Sequence, residues 1–545
     1  MRAVLAAILL GLVLCALAAP AALAVPRIVL VESFTNVSCP YCPAANTATR
    51  QFMTQYGPRL ALGVQYHVNW PGGDPFNVPV ATDVDAYRLS YGVTGVPSLF
   101  SDGQQTSTGS VPALVARADE RLLADSPFAL SVTKSSDGGN VTVEVTVEAI
   151  GAPPAGDLVL RIVLVETEIH LATAPGTNGE KDFYDTLRKM LPDHQGTTFS
   201  MSEGGWQTFT QTTPLDPGWN YDNLRAVAWV RAAGDPEVLQ AASSAGPHPY
   251  AFYYSALESG ALVALGDLHS FPSVLLNAGQ ASDTYDVHIT RNLPANWSGT
   301  VCARGVCYPP WTEDFSIACS PGALDTIAVD IQPLIDAGQG TMTLTATSRG
   351  DPTQVWSRTF KVVSHGLPIL IVDNDGGHAY ETFYTAALDA GGRKYGVWDR
   401  AAYGDLTTAE LDRFLIVIWI AGLNYPPLGD DDLAAVGGFL DHGGRLLVSG
   451  QDVGWALCDP ASSYYSPERK AWYQYYLGAD YVVDDTNDAS ITGVAGDPIG
   501  DGLSITLTSS GDNKQTMQDE IHPRAGAVGF LLYSANREAG VRYEH

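Results

Sequence analysis

The chain is poor in cysteine and in positive charge, and its one long apolar run lies at its start. Seven cysteines occur in 545 residues, too few for a disulfide-stapled scaffold, so its domains must stand on hydrophobic cores. Lys and Arg number 30 against 59 Asp and Glu, a formal net charge of -29. No basic patch interrupts that acidity, which argues against nucleic acid and anionic membrane surfaces as partners. Beyond the first 24 residues no stretch of about 20 apolar residues appears, so no membrane-spanning helix is expected.

What is present begins with a leader. Arg2, a run of Ala, Leu, Val and Ile, and Ala22-Leu23-Ala24 before Val25-Pro26 make residues 1–24 a secretory signal peptide. Cys15 follows Leu14 there, where lipidation wants a small residue, so a lipid anchor is not favoured. The protein is expected to be secreted or extracytoplasmic, in the periplasm, at the outer membrane or at the cell surface. The remaining length predicts three or four domains.

Cys39-Pro40-Tyr41-Cys42 follows the apolar run Ile28-Val29-Leu30-Val31 and precedes a helix-like stretch, Pro43 to Tyr56. Two thiols in that pattern on the first turn of a helix form a reversible disulfide, and the helix N-terminus stabilises a thiolate on the first. Cys39 is therefore the expected attacking sulfur and Cys42 the resolving one. Zinc needs four ligands and the next cysteine is Cys302, so no metal is expected; a purely structural disulfide is the competing reading. Further on, Gly95-Val96-Pro97-Ser98-Leu99-Phe100 sets a proline in apolar sequence, and Pro97 is a candidate for a cis peptide.

With these motifs the first hundred-odd residues resemble the thioredoxin superfamily. The resemblance implies a thioredoxin-like α/β domain over 25–125, with Pro97 packed against the dithiol to align a substrate chain. It also implies that Glu32, in Val29-Leu30-Val31-Glu32, handles the proton of the resolving thiol. No Gly-Gly-x-x-Asp follows the proline, so glutathione is not expected and no cofactor is. Glu32-Ser33-Phe34-Thr35-Asn36, Tyr66-His67, Trp70-Pro71-Gly72 and Arg188-Lys189-Met190-Leu191-Pro192-Asp193 are similar to a bacterial outer-membrane thioredoxin-like family, over roughly the first 245 residues. Trp70 and Phe76 either shape a substrate groove or cap the small core.

From Ser126 the texture changes to short alternating segments between Gly, Pro, Asp and Asn clusters, which predicts an antiparallel β-sandwich over 126–246, with 188–193 as a loop or short helix on it. A second, Ig-like sandwich is expected over 247–365, where the short Gly-containing loop between Cys302 and Cys307 predicts a structural disulfide. Cys319 and Cys458 have no evident partner. From Leu367 strands alternate with helices, with Thr407-Thr408-Ala409-Glu410 as a capping box, and 366–545 is expected to be a parallel, flavodoxin-like sheet. That part resembles the glutamine-amidotransferase-like domains of secreted proteins, but Val448-Ser449-Gly450-Gln451-Asp452 stands where their cysteine would, so the nucleophile is missing. The resemblance also implies a final sheet strand beyond His545. Asp373, Asp375 and Asp452 either cluster around a cation or, the favoured reading, Asp373-Asn374-Asp375-Gly376-Gly377 is a turn and helix cap.

The function this implies is an extracytoplasmic thiol–disulfide oxidoreductase whose partners are protein thiols and disulfides, with peripheral association with an outer membrane as a further partner class. The alternative is a secreted or surface binding scaffold with a non-catalytic thioredoxin-like domain. Oligomeric state, redox direction and substrate leave no sequence signal.

Overall fold

The computed structural model describes residues 25–106, 111–486, 488, 490–507 and 517–544; the leader at 1–24, Cys15 included, lies outside the described residues. The chain is multidomain and sheet-rich, with β-sandwich-like layers. It opens with β1 (Val29–Thr35), α1 (Cys42–Tyr56), β2 (Ala61–His67), α2 (Ala81–Ser90), the hairpin β3 (Ser98–Ser101) and β4 (Gln104–Thr106), and α3 (Val111–Leu122). β1 runs parallel to β2 and antiparallel to β3. Side chains alternate along β1, so the two faces of the sheet acquire different covers. Val29 and Val31 pack with Phe52, Met53 and Tyr56 of α1 and Leu114, Ala118 and Leu122 of α3. Leu30 and Phe34 pack on the other side with Val84 and Tyr87 of α2. Helix α2 buries only those two residues, so its apolar stripe is too thin for a periodicity signal.

The sheet does not stop at the edge of this unit. The chain continues through β5 (Phe128–Ser136), β6 (Asn140–Ala149), β7 (Leu158–His170), β8 (Asp182–Leu191), β9 (Thr197–Phe199), β10 (Trp206–Pro214), β11 (Leu224–Ala232) and β12 (Val238–Ser243). Strand β8 pairs antiparallel with β7 and parallel with β2, Thr186 opposite Gln65. One nine-stranded sheet results, in the order β12-β11-β7-β8-β2-β1-β3-β4 with β9 on β7. A boundary at Ser126 therefore separates two layers of packing but not two sheets. The three-stranded sheet β10-β6-β5 closes the sandwich, its Val141, Val143, Val145 and Val147 meeting Leu160, Ile162 and Leu164. The expectation of a loop or short helix at 188–193 is corrected: Arg188 to Leu191 is strand, and Arg188 is accommodated because its Nε donates to Glu166 at 2.7 Å.

Residues 252–364 form two five-stranded sheets facing one another. Their core is continuous with the α1 face of the first unit, where Tyr56 meets Trp356 edge-on at 5.0 Å. Cys302 and Cys307 are bonded across a hairpin with Cα atoms 4.0 Å apart. Cys319 and Cys458 are buried free thiols, each pushed up to about 12 by burial.

The last unit contains β13 (Ile369–Asp373), α4 (Glu381–Ala390), β14 (Tyr395–Asp399), β15 (Ile416–Gly422), α5 (Asp430–Asp441), β16 (Arg445–Gly450), α6 (Val453–Cys458), α7 (Pro467–Tyr476), β17 (Ala479–Val483) and β18 (Glu520–Pro523). Strands β14-β13-β15-β16 form a parallel sheet. The Thr407–Glu410 capping box is formed, Thr407 N donating to Glu410 Oε2 at 2.7 Å.

Candidate functional site: the Cys39–Cys42 turn

Between β1 and α1 the chain makes a turn that is pinned by side chains rather than by secondary structure. Asn36 Nδ2 donates to the carbonyls of Val68 and Gly72 at 2.7 and 2.8 Å, and its Oδ1 accepts from Ser38 N at 2.7 Å. Val37 N donates to Asp74 Oδ2 at 3.0 Å. Short polar side chains that mimic backbone turns do this well. The turn delivers Cys39 just ahead of α1, whose first residue is Cys42; the two are disulfide-bonded with Cα atoms 5.4 Å apart. Cys39 thus sits before the helix rather than in its first turn.

The Val96–Pro97 peptide is cis, and Cys39 Sγ lies 3.6 Å from the Val96 carbonyl oxygen. Cys39, Cys42 and the Pro97 loop are therefore brought together. Glu32 is set elsewhere. By alternation it shares the face of Leu30 and Phe34, opposite the face that α1 covers. It is fully buried, accepting hydrogen bonds from Tyr66 and Tyr87 at Oε1, 2.8 and 2.9 Å, and from Tyr91 at Oε2, 2.6 Å. Burial first and the Glu32 charge second raise all three hydroxyls, which keeps them protonated as donors. The guanidinium of Arg161 lies over the Tyr87 ring at 5.1 Å.

On the α1 face the structure places polar groups that sequence reading missed. Asn46, one turn beyond Cys42, donates to Thr35 Oγ1 at 3.2 Å and to Glu180 Oε1 at 2.8 Å. Gln65 Nε2 donates to Asn46 Oδ1 at 3.1 Å, and His67 bridges Gln65 Oε1 at 3.1 Å and Asp74 Oδ2 at 2.8 Å. The His67–Asp74 pair is buried. The only sequence signal for this chain of contacts is the turn-rich stretch 67–77. Phe76 packs with Val37 and Phe183 in a small core of its own, so it caps rather than lines a groove, while half-buried Trp70 carries Arg88 over its ring at 5.6 Å. Deeper under α1, half-buried Asp185 is pushed up to about 6 by desolvation, against Arg225 and Arg50, beside a cavity of about 30 Å³ lined in part by Ser33, Asn46 and Gln65.

Both sulfurs are covered. Cys39 is 2 % exposed and Cys42 is 0 %, whereas Tyr41 between them is 76 % exposed. The loop 171–181, which joins β7 to β8, lies along the turn: Asn178 N donates to Val37 O at 3.1 Å, Asn178 Nδ2 to Asn36 O at 3.3 Å, and Thr177 N to Ser38 Oγ at 3.3 Å. A Cβ on Gly176 would stand 2.2 Å from Val37 O, so glycine alone lets the two backbones approach so closely.

No family model and no curated protein matches the chain. Among solved structures it is similar to HBP35 of Porphyromonas gingivalis, at 15 % identity over 62 % of this chain and 98 % of that one, TM-score 0.35. It is also similar to the N-terminal domain of PorA, at 13 % identity over 21 % of this chain and 98 % of that one, TM-score 0.18. A domain of the outer membrane lipoprotein Omp28 from Porphyromonas gingivalis gives 15 % identity over 22 % of this chain and 86 % of that one, TM-score 0.16.

Proposed function

We propose that the chain is an extracytoplasmic thiol–disulfide oxidoreductase with a thioredoxin-like centre at Cys39 and Cys42, acting on protein thiols and disulfides. The observation that carries this reading is the meeting, at one point ahead of α1, of a bonded Cys39–Cys42 pair with the Val96 carbonyl of the Pro97 loop, 3.6 Å from Cys39 Sγ. In the oxidising direction a substrate thiolate attacks Cys39 Sγ, the Cys39–Cys42 bond breaks, and Cys42 leaves as a thiolate that takes a proton from solvent. A second substrate thiolate attacks the mixed disulfide and releases Cys39 as a thiolate stabilised by the helix N-terminus. Two electrons pass from the substrate dithiol to the protein, and the reverse sequence reduces a substrate disulfide. Pro97 aligns the substrate backbone. Glu32, held by three tyrosines beneath the opposite face of the sheet, keeps the α2 side ordered and takes no part in proton transfer. The C-terminal unit is read as a flavodoxin-like α/β domain that lacks the amidotransferase nucleophile.

One observation favours the second reading, a surface scaffold whose disulfide stays closed: Cys39 is 2 % exposed, and the 171–181 loop is hydrogen-bonded to the turn that precedes it. Insulin reduction with dithiothreitol separates the two. The full chain is the right sample, because one sheet runs unbroken from β1 into β7 and β11. Acceleration by the native chain and not by Cys39→Ser supports catalysis. Equal rates for both, or no acceleration by either, leave the scaffold.

A further inference from the structure

The C-terminal unit carries no reaction in the reading above, yet it buries negative charge without a counter-charge. We propose that Asp452, Asp484 and Asp519 form a binding site for one hard divalent cation, of the calcium or magnesium class. Asp452 follows β16, Asp484 follows β17 and Asp519 precedes β18, so three separate loops converge near the carboxyl edge of the parallel sheet, where open α/β sheets collect ligands. One carboxylate oxygen from each lies within 4.8 Å of the other two. All three ligand groups are oxygen, which selects hard cations over the softer transition metals.

A second observation points to a ligand. Asp519 is 9 % exposed, and its Oδ1 is buried without a hydrogen-bond partner, as are Oδ1 of Asp452 and of Asp484. The other oxygen of Asp519 accepts from the Gly454 and Trp455 amides at 2.7 and 3.1 Å. Those two bonds fix the carboxylate and leave Oδ1 to the cluster. The charged groups that bear on the three are themselves acidic: Asp452 and Asp484 on Asp519, Asp484 on Asp452, and Asp485 and Asp459 on Asp484. Asp519 is buried and Asp452 and Asp484 are half-buried, and like charges gathered away from water without a counter-ion destabilise one another. A divalent cation supplies both the missing charge and partners for the orphaned oxygens.

The neighbouring group Asp373, Asp375 and Glu381 is different. Asp375 spends both oxygens on the Gly377 and Tyr380 amides at 3.0 Å, and Asp373 Oδ1 accepts from Asp375 N at 3.4 Å. It is a turn and helix start whose one buried member, Asp375, has both oxygens used, although Glu381 Oε2 has no partner.

The test uses the full chain, freed of metal with chelator, at pH 8.5 so that Asp519, which burial raises to about 8, is ionised. Calcium is titrated calorimetrically, and terbium luminescence sensitised through Trp455, whose amide touches Asp519, gives a local readout. The expected result is one saturable site filled below about 1 mM calcium, weakened at least about tenfold by Asp519→Asn and by Asp452→Asn and unchanged by Asp373→Asn. Should near-UV circular dichroism show Asp519→Asn unfolded, Asp484→Asn takes its place with the same expectation. Absence of saturable binding of calcium, magnesium and manganese overturns the proposal. So does binding that survives the cluster variants or is removed by Asp373→Asn.

Discussion

Substituting Asn178 by alanine should unlatch the turn that carries Cys39 and Cys42. Its side chain makes one bond across to the turn, Nδ2 to Asn36 O at 3.3 Å, and two that shape its own loop, Nδ2 to Glu180 Oε2 at 2.7 Å and Glu180 N to its Oδ1 at 3.0 Å. The backbone bond from Asn178 N to Val37 O at 3.1 Å remains but loses its support. A net value near 1 kcal/mol for a neutral hydrogen bond, discounted for the partly exposed Glu180, gives about 2 kcal/mol in favour of the open loop, or roughly a 30-fold larger open population. If the loop recloses faster than it reacts, reduction of Cys39–Cys42 scales with that population. The assay is the pseudo-first-order rate of reduction by a small-protein dithiol, quenched by alkylation and read by mass spectrometry on the peptide carrying both cysteines. Thr54→Ala, on the exposed side of α1 with its Oγ1 bonded only to Arg50 O, is the control. A change of less than about threefold for Asn178→Ala would refute the reasoning, because the loop would then not be what keeps Cys39 covered.

Two further outcomes follow from the same geometry. Asp185 has its folded-state proton affinity raised, from 3.8 to about 6, so its contribution to stability is complete below about pH 4 and is lost as pH rises through 6, a swing of about 3 kcal/mol. Asp185→Asn should therefore raise urea stability at pH 8 by up to that amount and leave pH 4 little changed; a loss at pH 8 would show that Arg225, not desolvation, governs the site. Tyr91→Phe deletes the 2.6 Å donor to buried Glu32 and should cost about 2 kcal/mol in urea unfolding while leaving the thiol–disulfide exchange rate within threefold. A drop in exchange as large as that of a cysteine variant would restore Glu32 to the proton path.

How much of this was legible in the sequence depends on how local each signal was. The β1–turn–α1 unit, the Pro97 loop and the Cys302–Cys307 hairpin are each encoded within a few residues. The alternating strands and helices after Leu367 are likewise local in period and form the parallel sheet. Strand β8 was not legible: Arg188 and Lys189 interrupt its apolar character, and it is a strand because β7 and β2 flank it and Glu166 accepts from Arg188. The continuation of the sheet across Ser126 was not legible for the same reason, since the Thr186–Gln65 pairing joins segments far apart in the chain. The side of the sheet that Glu32 occupies was recoverable, because alternation in Leu30-Val31-Glu32-Ser33-Phe34 puts it with Leu30 and Phe34. What alternation does not reveal is which helix covers that face. The polar chain through Asn46, Gln65, His67 and Asp74, and the carboxylates of Asp452, Asp484 and Asp519, are assembled from separate loops and have no sequence period at all.

The account rests on whether the Cys39–Cys42 bond opens and closes. A glutathione redox titration of the full chain, with thiol trapping and mass spectrometry on those two residues, tests it most directly. A reversible two-electron transition confined to Cys39 and Cys42, with Cys302–Cys307 still bonded, is the predicted result. A Cys39–Cys42 bond that stays oxidised across the whole range, in the native chain and in Asn178→Ala alike, would contradict it.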